Sequence, residues 1–118
     1  MLKELALGTT VYLVTGYTDL RQGIDGLAAR IQGICGRNPA ECALFLFCGH
    51  RRDRIKGLVW DGDGYLLLYK RLNSGAYRWP RNETEARLLG EQEVRWLLDG
   101  LELEQPKAIR KSSPGILF

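Results

Sequence analysis

The segment from His50 to Lys56 collects the residue types best suited to binding an anion. Four of its positions are cationic, namely Arg51, Arg52, Arg54 and Lys56, and His50 precedes them. A guanidinium group is planar and permanently charged, and its fork of N–H donors matches the oxygens of a phosphate. The segment therefore favours a phosphate-binding surface.

More cations and several aromatic residues follow further along the chain. Lys70, Arg71 and Arg78 alternate with Tyr69, Tyr77 and Trp79, whose rings could stack on bases or sugars. In an antiparallel hairpin, Lys56 and Lys70 are expected to lie close together. The candidate nucleic-acid-binding residues are Arg51, Arg52, Arg54, Lys56, Lys70, Arg71, Arg78 and Trp79. The alternative is that the cations only solvate one sheet face while the aromatic residues pack on the other.

The distribution of charge supports the first of these interpretations. The formal net charge is +3, but residues 37–81 hold nine basic and four acidic residues, whereas the rest of the chain holds eight and ten. A basic block between mildly acidic ends favours a polyanionic partner such as DNA.

Catalytic motifs are missing from the sequence. His50 is the only histidine, no serine lies in a nucleophile elbow, and there is no glycine-rich phosphate loop. Asp61 and Asp63 are more typical of a tight turn, although a metal-dependent nuclease that uses them is a third hypothesis. We therefore predict a protein that is not an enzyme and uses no cofactor.

The cysteines do not form a convincing metal site either. Cys35, Cys42 and Cys48 are odd in number and show no CxxC pair, although with His50 they could in principle bind zinc. Reduced thiols in the cytoplasm are the simpler interpretation. The longest apolar run, residues 43–48, is too short to span a membrane, and the start of the chain lacks the shape of a signal peptide.

The elements that must position these residues follow from periodicity and turn signals. Residues 9–15 predict a strand and residues 19–35 a helix, capped by Thr18 or Asp19 and ended by Gly36. A four-stranded antiparallel meander is predicted over residues 43–79, with strands at 43–48, 54–60, 65–72 and 76–79. Residues 81–85 predict a loop and residues 91–99 a second helix.

The predicted fold class is therefore α+β, in a single domain over residues 1–103. We expect a mainly antiparallel sheet of about five strands, with the longer helix across one face and the short C-terminal helix beside it. Residues 104–118 are predicted to form a tail. The sequence leaves the oligomeric state open.

Six ordered segments of this chain together carry a family resemblance, and they lie at residues 18–27, 44–47, 51–56, 60–64, 69–72 and 77–80. In that order and spacing they resemble the TnpB accessory proteins (Orf2-like) of the insertion sequence family numbered sixty-six. The resemblance spans about residues 8–101. The sequence departs from the family pattern at residues 48–50 and at Gly90, where a serine or threonine usually caps the second helix.

The resemblance implies a non-catalytic accessory role in DNA transposition, beside a separate transposase. For this role we hypothesise direct DNA binding through the basic hairpin surface, assistance to the transposase, or both. The alternative is a protein–protein adaptor that binds the transposase without touching DNA. The family has no established site, so the matching residues are motif matches only: Asp19, Arg21, Asp25, Arg52, Asp53, Lys56, Lys70, Arg71, Trp79 and Pro80.

Overall fold

The computed structural model describes residues 1–103, and the predicted tail, residues 104–118, lies outside the described residues. Along the chain the helices and strands are α1 Leu2–Leu7, β1 Thr10–Val14, α2 Ile24–Gly33, β2 Ala43–Cys48, β3 Arg54–Trp60, β4 Tyr65–Arg71, β5 Ala86–Leu89 and α3 Glu91–Leu98.

The five strands form one sheet in the order β4-β3-β2-β1-β5. β1 and β2 are parallel, with α2 in the connection between them, and the other three strand pairs are antiparallel. A parallel pair needs such a crossover because the chain must return to the starting end of the sheet. The predicted α+β class with a mainly antiparallel sheet is confirmed.

Helices cover both faces of the sheet, which explains why every residue of β2 is buried. On one face, Leu27 and Ile31 of α2 pack against Phe45, Phe47 and Leu58. We call this the α2 face. The expectation that the C-terminal helix lies beside α2 is wrong, because α1 and α3 pack together on the opposite face.

That opposite face carries the second half of the core. Ala6 of α1 and the Val94 and Leu97 side chains of α3 are buried there against Leu46 and Ile55. The helix α1 was not predicted, since its six residues are too few for a clear helical period.

The predicted fourth strand of the meander, residues 76–79, does not join the sheet. Tyr77 and Trp79 are buried while Ala76 and Arg78 are exposed. The segment therefore shows the alternating burial of a strand, but it pairs with no strand of the sheet. The fifth strand is instead β5, which pairs with β1.

The helix α2 also begins later than predicted. Neither Thr18 nor Asp19 caps it: the N-cap is Gly23, and the Asp19 carboxylate accepts the backbone N–H of Arg21. Residues 15–23 therefore form a loop, which we call the β1–α2 loop. Gly36, with a φ of +66°, follows the helix in the left-handed backbone expected of a helix stop.

The β3–β4 hairpin is confirmed. Asp61 N–H donates to the carbonyl oxygen of Gly64 at 2.8 Å, and Gly62 adopts a φ of +83° that a glycine tolerates without strain. Within residues 1–103, no helix combines the length and apolar character that crossing a bilayer requires.

Candidate nucleic-acid interface

Two loops that carry charged residues meet at one end of the sheet. The parallel strands β1 and β2 end there, so the β1–α2 loop meets the β2–β3 turn, residues 49–53. The backbone N–H of Thr18 donates to the carbonyl oxygen of Cys48 at 3.0 Å and joins the two loops. The carboxyl ends of parallel strands are a common place for binding sites, because connecting loops converge there.

Arg81 holds these loops together. Its Nη1 donates to the carbonyl oxygen of Gly16 at 3.0 Å, and its Nη2 donates to that of Gly49 at 2.6 Å. The guanidinium carbon also lies 4.0 Å from the centroid of the Tyr17 ring. One half-buried side chain thus supports both walls of the site.

A cleft of about 600 Å³ opens between the two loops. We call it the aromatic–arginine cleft, and its lining residues are Tyr17, Thr18, Asp19, Leu20, Arg21, Gly49, His50, Arg51, Arg54 and Tyr69. The Tyr17 ring stacks on the His50 ring, with centroids 4.3 Å apart and planes 19° apart. Both tyrosines are well exposed, Tyr17 at 45% and Tyr69 at 56%.

The cationic surface continues from the cleft along the α2 face of the sheet. Arg54 is paired with Arg71 across β3 and β4, and Lys56 is paired with Tyr69, so these four side chains share one face. The Lys56 ammonium lies 5.7 Å from the Tyr69 ring centroid and donates to the carbonyl oxygen of Gln22 at 2.9 Å.

Two carboxylates offset part of this positive charge. Asp19 receives a bidentate hydrogen bond from Arg21, at 3.0 Å from Nε and 2.8 Å from Nη2, and this partner lowers the pKa of Asp19 to about 2. Asp53 accepts the Nε–H of Arg54 at 2.9 Å, which lowers the pKa of that carboxyl group. Within residues 1–103, Arg51 and Arg71 form no ion pair within 4 Å, although the charge of Arg51 also helps to lower the pKa of Asp53.

Lys70 lies away from this surface. Its partner across the ladder is Ile55, whose side chain is in the core on the α1 and α3 side. The expectation that Lys56 and Lys70 lie together is therefore wrong, because side chains of consecutive ladder positions point to opposite faces.

Arg52 and Arg78 are separated from the cleft as well. They line a second, smaller cleft of about 340 Å³ together with Trp79, Pro80, Arg87, Glu102 and Leu103. There Arg78 lies 4.0 Å from the Glu102 carboxylate, and Arg87 lies 2.9 Å from that of Glu93. The eight predicted residues are thus divided between two clefts, the two faces of the sheet and the core.

Trp79 is the predicted residue that belongs to the core. It is 4% exposed, and its indole N–H donates to the carbonyl oxygen of Val14 at 2.9 Å. Tyr77 is also buried, at 1% exposed, which raises the pKa of its hydroxyl. The expectation that these two rings stack on bases is wrong, because neither presents a ring face to solvent.

Sequence reasoning missed Tyr17 and Arg81 as residues of the site. Tyr17 stands alone after the first strand, and Arg81 lies in a segment predicted only as loop. A tyrosine beside a predicted strand end and an arginine after Pro80 are weak signals by themselves, because their relation exists only once the loops meet in space.

The structure groups no set of metal ligands. Within the described residues, no three histidine, cysteine, aspartate or glutamate side chains are placed to hold a metal ion. Cys48 is buried, Cys35 half-buried and Cys42 exposed, and none is in a disulfide. Burial raises the pKa of the Cys35 and Cys48 thiols.

Fold and site together define a small α+β protein that presents a cationic, aromatic cleft at one end of a mixed sheet. The family model of IS66 Orf2-like proteins (TnpB_IS66) matches residues 9–108 of this chain. The chain belongs to this family, whose members are accessory proteins of insertion sequences with no known catalytic activity.

Two proteins from Sinorhizobium fredii are similar to this chain. The uncharacterized protein y4hO is 35% identical over 97 residues, which cover 82% of this chain and 84% of the relative. The uncharacterized protein y4jC is 30% identical over 100 residues, covering 85% and 86%. No solved structure matches the chain significantly.

Proposed function

We propose that this protein is a non-catalytic accessory protein of DNA transposition that binds the DNA of its insertion sequence. The binding surface is the basic face, which we define as Arg21, Arg51, Arg54, Lys56 and Arg71. The observation that carries the proposal is convergence: four of the predicted cations come from the β2–β3 turn, β3 and β4 to this one surface.

The charge balance of the basic face favours a polyanion. Five cations are accompanied by two carboxylates, Asp19 and Asp53, and each carboxylate already accepts hydrogen bonds from one arginine. Net positive charge remains, and Arg51 and Arg71 are exposed and form no ion pair within 4 Å in residues 1–103. Such side chains can neutralise phosphates and release condensed counterions, which is the main source of sequence-independent DNA affinity.

Two features of the chain agree with binding to insertion-sequence DNA in the cytoplasm. The three thiols are unpaired in the structure, which is the ordinary state of cysteines in a reducing compartment. The family assignment also connects the chain to insertion sequences, whose ends are the DNA that an accessory protein would meet.

A salt titration tests the proposal. We expect the full chain to bind a duplex of the insertion-sequence end and a random duplex at low salt, with the logarithm of affinity falling linearly with the logarithm of salt concentration. The double variant Arg51→Ala/Arg71→Ala should reduce the magnitude of that slope by about two, since each phosphate contact contributes about one.

The matched control removes the same charge elsewhere. Lys3 and Arg95 lie on α1 and α3, at the opposite face, and each is paired with a carboxylate, Asp99 and Glu91. The variant Lys3→Ala/Arg95→Ala should leave the slope unchanged. Failure of the wild-type chain to bind either duplex at low salt, or an equal loss in both double variants, contradicts the proposal.

One observation favours the alternative function, an adaptor that binds the transposase. β4 is a seven-residue edge strand of the sheet, and its outward residue Leu66 is 44% exposed. The free backbone groups of an edge strand can pair with a strand of another protein. Co-purification with the transposase that survives nuclease treatment, together with absence of DNA binding by the chain alone, supports the adaptor instead.

A further inference from the structure

The aromatic–arginine cleft has features that a purely phosphate-binding surface does not need. Two tyrosines with broad exposed area, Tyr17 and Tyr69, line it, and both lie beside cations. Arg81 contacts the Tyr17 ring, and the Lys56 ammonium lies over the Tyr69 ring. An exposed aromatic ring beside a cation is the arrangement that stacks a nucleic-acid base and holds its phosphate.

The backbone that carries the two tyrosines is held in place before any ligand binds. The backbone on both sides of Tyr17 is fixed: the carbonyl oxygen of Gly16 accepts a hydrogen bond from Arg81, and that of Tyr17 accepts one from Arg30 at 2.7 Å. Tyr69 lies in β4, so its backbone is fixed by the ladder to β3. Rigid aromatic groups lose little conformational entropy on binding, which favours affinity.

The His50 ring, at 4.3 Å, and the Arg81 guanidinium carbon, at 4.0 Å, already lie against the Tyr17 ring, so Tyr69 is the ring with room for a base. We infer that the aromatic–arginine cleft binds an unpaired nucleotide of single-stranded DNA, with its base stacked on Tyr69 and its phosphates held by Arg51 and Arg54. This inference rests on the proposed function, since it names the form of DNA that the basic face receives. Base faces are hidden by stacking in a duplex and become accessible only in unpaired nucleotides. A volume of about 600 Å³ is in the range that encloses a small organic ligand, the scale of one nucleotide.

The experiment compares four labelled probes by fluorescence anisotropy with the full chain. They are a mixed-sequence single-stranded DNA, its duplex, the same single strand with abasic sites in place of its central bases, and a free deoxynucleotide. We expect the single strand to bind more tightly than the duplex, and the abasic strand to lose that advantage because it keeps the phosphates and lacks the rings. A free nucleotide that binds as tightly as the strand overturns the assignment to DNA.

Variants of Tyr69 test whether its ring stacks on a base. Tyr69→Ala should weaken single-strand binding by roughly 5- to 150-fold, the range for loss of one stacked base, and weaken duplex binding by a smaller factor. Tyr69→Phe should keep wild-type affinity, because it retains the ring. Tyr65→Ala is the matched control: Tyr65 lies on the same face of β4 at the far end of the strand, against Trp60.

The outcomes separate this inference from the proposed function. Equal binding of single strand and duplex, with no effect of Tyr69→Ala, overturns the inference and leaves the DNA-binding proposal standing. Failure of every DNA probe to bind at low salt overturns both. Circular dichroism of each variant shows whether the fold is kept. Should Tyr69→Ala fail to fold, the comparison of the intact and abasic strands on the wild-type chain serves as the test, and equal binding of the two overturns the inference.

Discussion

The guanidinium group of Arg81 lies 4.0 Å from the Tyr17 ring and bridges the carbonyl oxygens of Gly16 and Gly49. Arg81, two residues after the buried Trp79, thereby joins the loops after β1 and β2. The geometry of the cleft depends on this bridge, since the loops otherwise share few backbone contacts, such as that between Thr18 and Cys48.

We predict that Arg81→Ala lowers the free energy of unfolding by about 2–3 kcal/mol, because it leaves two carbonyl oxygens without charge-assisted hydrogen bonds. Arg81→Lys should restore only part of the loss, since an ammonium group cannot reproduce a planar fork that also stacks on a ring. Urea denaturation measures both variants. Arg95→Ala, which removes an exposed pair with Glu91, should cost less than about 0.5 kcal/mol. Equal losses for Arg81→Ala and Arg95→Ala would refute the bridge.

Arg51 and Arg52 are consecutive residues that line different clefts. We predict that Arg51→Ala reduces the salt dependence of DNA affinity by about one phosphate contact, while Arg52→Ala leaves it unchanged. The pair is well matched because both side chains are exposed in the same turn, and both variants remove one positive charge. Salt titrations by anisotropy check the prediction, which is wrong if Arg52→Ala has the larger effect.

Trp79 is predicted to act on stability and not on DNA. Trp79→Ala should lower the free energy of unfolding by about 3–5 kcal/mol, the usual cost of removing a buried aromatic side chain. Trp79→Phe should cost about 1–3 kcal/mol, because the Val14 carbonyl oxygen loses its buried donor. Chemical denaturation measures the first effect, and DNA titration of the folded Trp79→Phe protein should show wild-type affinity. A large loss of DNA affinity in that folded variant would contradict this prediction and show that Trp79 contributes to the binding surface.

The Asp19 carboxyl group should titrate near pH 2, because Arg21 holds its ionised form. The folded pKa is lower than the unfolded value, so the ion pair stabilises the fold above the unfolded pKa. That contribution declines as the pH falls from about 4 and is gone below about 2. Carbon-detected NMR of the carboxyl group measures the midpoint. In Arg21→Ala the midpoint should rise toward 4, and an unchanged midpoint would show that Arg21 is not the cause.

Much of the fold was predictable because its signals are local. The hairpin at Asp61 and Gly62 follows from residues that tolerate turn backbones, and the apolar run at residues 43–48 correctly indicated the strand β2. The end of α2 near Gly36 followed from helix-stop chemistry. The start of α2 was misjudged, because Asp19 has a second use for its carboxylate, as the acceptor of Arg21.

The candidate site was predictable only in its residue types. The sequence analysis named the cationic run beginning at Arg51 and the aromatic Tyr69, and of these residues Arg51, Arg54 and Tyr69 line the cleft. Tyr17 was not recognised, and Trp79 was placed on the surface although it is in the core. A tryptophan between charged and polar residues looks the same in sequence whether its ring faces bases or the protein interior.

By itself, then, the sequence determined where charge is concentrated, where most of the strands and helices run, and where the β3–β4 turn lies. These properties depend on neighbours within a few residues. The tertiary structure decided which cations act together, because side chains alternate between faces along a strand and a single step in register reverses them. It placed Arg71 beside Arg54 and sent Lys70 to the other face. It also paired β5 with β1, a contact between distant segments that no local pattern encodes.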